Sequence, residues 1–98
     1  MDDAQHTQPE DVYPLRVLNL DSLIACRIWY YLVHERDKPQ CPIQELWAVC
    51  ACSREGLRQA VTHLEAANIV TSEFGHDADA RERVIKLTAK EQQIVNTN

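Results

Sequence analysis

The stretch Ile43–Val70, IQELWAVCACSREGLRQAVTHLEAANIV, constrains this chain more than any other, because it reads as two amphipathic helices joined by a tight turn. Ile43, Leu46, Trp47 and Cys50 recur at helical spacing, while Gln44 and Glu45 fall off that face. Ser53 then offers a side-chain oxygen to the free amides of a second helix. In that helix Leu57, Ala60, Val61 and Leu64 make one apolar stripe of helical period, with Glu55, Gln59, Thr62 and Ala66 on the other side. Asn68 follows the last buried position, where a left-handed residue ends a helix. The pattern predicts a helix-turn-helix.

Two short β-prone runs follow, Val70 to Phe74 and Arg83 to Thr88, around the turn-rich Gly75, His76, Asp77, Ala78, Asp79 and Ala80. Helix, turn, helix and hairpin is the order of a winged helix. The run from Ser53 through Val70, followed by Asp79, Arg81 and the Leu87-Thr88 step, resembles the MarR family of winged-helix transcription regulators. In that family a wing with an Asp-x-Arg element precedes a Leu-Thr step into another helix. The resemblance covers roughly half the chain and implies a DNA-binding regulator, with Arg81 directed to DNA.

Upstream, residues 1 to 14 combine Gln, Asp, Glu, Pro9 and Pro14 without periodicity and read as a flexible acidic arm. Asp21 or Ser22 can cap a helix running to about Glu35. Its apolar side chains, among them Leu23, Trp29, Tyr30 and Val33, point in nearly every direction, so it needs cover on two sides. The helix-turn-helix covers one. A second copy of the chain covers the other in a two-fold dimer, or the 1 to 20 segment does. Asp37 to Pro42 supplies a strand of one or two residues against the wing, and Pro42 suits a first helical turn. Thr88 and Glu91 have capping-box spacing, so a last helix starts there and frays into the tail 96–98. The expected architecture is therefore mainly α with a small β-hairpin (α+β), a winged helix-turn-helix of three core helices plus wing over 15–95.

The formal net charge of −5 opposes a generally basic nucleic-acid binder. Its distribution weakens the objection. Asp2, Asp3, Glu10 and Asp11 stand against Arg16 alone in the first twenty residues, whereas Ser53 to Lys90 is neutral. No apolar run reaches the roughly 18 residues needed to cross a bilayer, so a cytoplasmic protein without membrane contact is expected.

On the second helix, Arg54, Glu55, Arg58 and Gln59 occupy the first turns, with Thr62 and His63 further along. Arg58 can bond guanine O6 and N7, Gln59 adenine N6 and N7, and Glu55 can accept from cytosine N4 or orient an arginine. On the wing, Arg81, Arg83 and Lys86 can meet a minor groove or phosphates. The plain alternatives are a solvated helix face and surface ion pairs. Double-stranded DNA is the expected partner, and an acidic winged helix that docks a protein is the alternative.

Cys50-Ala51-Cys52, with Cys41 or His34, invites a metal reading, but no second close ligand pair accompanies it and no metal is expected. Cys52 beside the Ser53 cap could be a low-pKa thiol, although an inert turn cysteine is the simpler reading. Gly56 either permits a close approach or marks irregularity. There is no Gly-rich phosphate loop, His-Glu-x-x-His or Gly-x-Ser-x-Gly, and His6, His34, His63 and His76 are scattered. Neither catalysis nor a cofactor is expected.

Overall fold

The computed structural model describes residues 13–74 and 83–96. In chain order it contains α1 (Leu15–Leu18), α2 (Leu23–Tyr30) prolonged by a π-helical turn (Tyr31–Glu35), β1 (Gln40–Pro42), α3 (Ile43–Cys50), α4 (Arg54–Ala66), β2 (Val70–Phe74), β3 (Arg83–Leu87) and α5 (Ala89–Asn96). This is a mostly helical α+β fold. Its three antiparallel strands lie in the order β1-β3-β2.

Local chemistry sets most boundaries. Ser22 Oγ accepts from the Ala25 amide at 3.1 Å and starts α2. Ser53 Oγ does the same for Gly56 at 3.0 Å and starts α4. Between α3 and α4, Ala51 takes φ 50° and ends α3 in the left-handed region without a glycine. The end of α4 is a Schellman turn: Asn68 has φ 61°, its amide donates to Glu65 O at 3.0 Å, and Ile69 N donates to Leu64 O at 2.9 Å.

The sheet is centred on β3. Phe74 pairs with Arg83 and Val70 with Leu87 on one side, while Gln40, Cys41 and Pro42 pair with Lys86, Ile85 and Val84 on the other. β1 is thus a full three-residue strand rather than one or two, and Leu87 N extends the pairing to Pro39 O at 2.8 Å. Ile85 and Leu87 face the core, where Ile28, Leu46, Val61, Leu64 and Ile69 are buried with them. The stripe Leu57, Ala60, Val61 and Leu64 is buried throughout, as its period predicts.

Three further details depart from the sequence reading. Trp47, counted there on the buried face of α3, is 37% exposed and lies over the turn, donating from Nε1 to Cys52 O at 2.6 Å. The second side of α2 is covered at Trp29 by the chain itself. Trp29 is 4% exposed, its ring lies 6.0 Å from that of Tyr13, and its Nε1 donates to Glu91 Oε2 at 2.8 Å. A dimer contact therefore cannot be centred on Trp29. Tyr13, placed by sequence in the flexible arm, also packs 5.9 Å from Tyr30. Finally, Thr88 and Glu91 form only half a capping box. Thr88 Oγ1 accepts from the Glu91 amide at 3.1 Å, but Thr88 N donates to Ile69 O, and the Glu91 carboxylate turns inward to Arg16 and Trp29.

Candidate nucleic-acid interface

Because the apolar stripe of α4 faces inward, its outer side carries Arg54, Glu55, Arg58, Gln59, Thr62 and His63, all exposed. Glu55 lies in the first turn, where the helix dipole favours a carboxylate. Three of these side chains are already linked. Arg58 donates from Nε and Nη2 to the two Glu55 oxygens at 3.1 and 2.5 Å, and Gln59 Nε2 donates to Glu55 Oε2 at 3.1 Å. The Arg58 bond, followed by that of Gln59, holds the Glu55 carboxyl below its ordinary range. The same pairing raises Arg58. Thr62 Oγ1 donates to Arg58 O at 3.0 Å, so its hydroxyl proton is engaged by the helix backbone rather than held out to a base edge.

Beside this face runs a groove of about 490 Å³ lined by Ile43, Gln44 and Trp47 of α3, Arg54, Leu57 and Arg58 of α4, and Arg83 of β3. Among the described residues, its lining holds three guanidinium groups and no carboxylate. Arg54 lies over the indole of Trp47, 4.6 Å from Cζ to the ring centroid, in cation–π geometry. Arg83 is half-buried and reaches back to Glu65 at 3.3 Å, where the Ser72 hydroxyl also donates. The surface ion pair that sequence reasoning set against DNA contact is therefore formed at Arg83.

Lys86 belongs elsewhere. Strand alternation puts it on the face opposite Ile85 and Leu87, between Gln40 and Thr71, away from the groove. Arg81, Asp77 and Asp79 lie outside the described residues.

A second polar cluster sits behind β1. Arg36 grips Glu45 with Nε and Nη2 at 2.8 and 2.9 Å, and the Tyr31 hydroxyl donates to the same carboxylate. The guanidinium and the phenol hold the Glu45 carboxyl down at about 2. Burial pushes the thiol of Cys41 up to about 12 and that of Cys50 up to about 11, which leaves both neutral near pH 7. Among the described residues, no group of three or more His, Cys, Asp or Glu side chains could hold a metal ion.

Sequence reasoning missed Trp47, Gln44 and Glu65 as parts of this surface. The Trp47–Arg54 contact spans the turn between helices, and Glu65 meets Arg83 only after the hairpin folds back, so helical periodicity within one element carried no signal for either. Compared with known proteins, the chain matches no family model, no curated sequence and no solved structure.

Proposed function

We propose that this chain is a winged helix-turn-helix regulator of the MarR-like type, acting in the cytoplasm on double-stranded DNA and performing no catalysis. The observation that carries the reading is the continuous exposed polar face Arg54, Glu55, Arg58 and Gln59 on a helix whose opposite stripe is entirely buried. A helix so exposed fits a B-DNA major groove about 12 Å wide. There Arg58 addresses guanine, Gln59 addresses adenine, and His63 extends the contact one turn on. The hairpin flanks this helix, and Arg81, by the resemblance, meets the minor groove.

The regulator acts as a two-fold dimer reading a short palindrome. Leu23 is 89% exposed, and with the half-buried Tyr30 and Val33 it offers apolar surface on α2 that the other described residues leave partly uncovered. Light scattering after size exclusion should give the dimer mass at micromolar concentration. A monomer there would remove the two-fold reading while leaving DNA binding open.

Binding is measured as affinity for mixed-sequence duplex against salt, with Arg58→Ala and Arg81→Ala as comparisons. The expected outcome is affinity that falls with salt and weakens in both variants. Absence of salt-dependent binding at low ionic strength would sink the proposal.

A second reading follows from Phe74, an exposed aromatic at the end of β2, together with the net charge of −5. In it the domain docks a protein instead of DNA. A stoichiometric partner that is lost on Phe74→Ala, with no DNA retained, would favour that reading.

A further inference from the structure

The three arginines of the groove differ in what already holds them. Arg83 is tied to Glu65. Arg58 is gripped by Glu55 along its Nε–Nη2 edge. Arg54 makes no ion pair among the described residues and rests on the Trp47 indole. These differences have chemical consequences for a polyanion. A carboxylate bonded to a guanidinium cancels its charge toward a phosphate and repels that phosphate itself, yet leaves the Nη1–Nη2 end free. That end is the one that fits O6 and N7 of guanine. A guanidinium on an indole face keeps its full charge and all its donors.

We propose that Glu55 divides the work between two arginines: it makes Arg58 a guanine reader indifferent to the phosphate backbone, while Arg54, braced on Trp47, anchors a phosphate. The proposal rests on the DNA-binding reading above and adds to it the residue that sets discrimination. Gln59 shares the same carboxylate oxygen, so one side chain orients both base readers. The Glu55–Arg58 pair is exposed on both sides and adds little to stability, so its consequence is in recognition.

The test uses the full chain and two duplexes. One is of mixed sequence; the other is recovered from a random pool by the wild type, with each guanine replaced in turn by 7-deazaguanine, which lacks N7. Wild type should lose about tenfold in affinity at one deaza position per half-site. Glu55→Gln should bind the mixed duplex several-fold more tightly, steepen the slope of log affinity against log salt by about 0.9, and lose most of the deaza penalty. Arg54→Ala should flatten that slope by about 0.9 and keep the penalty. Unaltered melting temperatures establish that the variants are folded. Equal slopes and equal penalties for wild type and Glu55→Gln would overturn the division of work with DNA binding intact. Failure of the wild type to bind either duplex would overturn both readings.

Discussion

Glu91 accepts the side-chain hydrogen bonds that span the greatest sequence separations among the described residues. It is 2% exposed, yet it accepts from Arg16 Nε and Nη2 at 2.9 and 2.5 Å and from Trp29 Nε1 at 2.8 Å, so α5, α1 and α2 share one carboxylate. Replacing it by Leu strands the indole N–H and unpairs the arginine, at a cost of about 2–4 kcal/mol in urea denaturation. Glu91→Gln retains an acceptor for Trp29 and should lose less. Ala51 tests a different term. Its left-handed conformation costs a non-glycine residue about 1–2 kcal/mol, while glycine adds unfolded-state entropy of about 0.4–1 kcal/mol, so Ala51→Gly should stabilise the domain by roughly 0.5 kcal/mol. Glu45 sets an acid limit. Its carboxyl lies at about 2 when folded, below the ordinary 4.5, so the folded state binds fewer protons than the unfolded chain in between. Its stabilisation is complete above about pH 4.5 and is lost as pH falls toward 2. Glu45→Gln should therefore flatten the fall in melting temperature across that window; an unchanged slope would mean that other carboxylates dominate it.

At the scale of elements, α4 owes its position to α2. A Cβ on Gly56 would meet Ile24 Cδ1 at 3.1 Å and Ser53 Oγ at 3.2 Å, so the glycine allows α2 to approach the first turn of α4 while the cap stays in place. Its close-approach reading is the one the packing supports. Alanine there gains about 1 kcal/mol of helix propensity and loses a similar amount in displacing Ile24 and the cap. Gly56→Ala should thus be close to neutral and Gly56→Val destabilising by about 1–3 kcal/mol in the same denaturation assay. The ends of α4 were legible in sequence, because Ser53 and Asn68 act on amides and carbonyls only a few residues away. The outer face was legible too, since Glu55, Gln59 and Thr62 fall opposite a strict apolar period. The position of Trp47 was not. Its spacing fits the buried face of α3, but a left-handed Ala51 swings the chain back so that the indole finds Cys52 O and Arg54 above the turn.

For the whole molecule, the balance of charge bears on the proposed DNA contact. Residues 1–12 carry Asp2, Asp3, Glu10 and Asp11 with no Lys or Arg, so removing them changes the formal net charge from −5 to −1. Deletion should raise low-salt affinity for mixed-sequence duplex, with the gain vanishing as salt screens these charges. An unchanged affinity would mean that these charges are not felt at the groove. What the sequence determined by itself was the succession of elements, their caps and their buried stripes, because those depend on hydrogen bonds and side-chain contacts spanning a few residues. What only the tertiary structure decided was the pairing of charges and the cover of α2. Glu91 lies 75 residues from Arg16 and 62 from Trp29, and Arg83 lies 18 from Glu65. Over such separations a carboxylate's partner is chosen by the distance that folding creates, and composition and periodicity contain no measure of that distance.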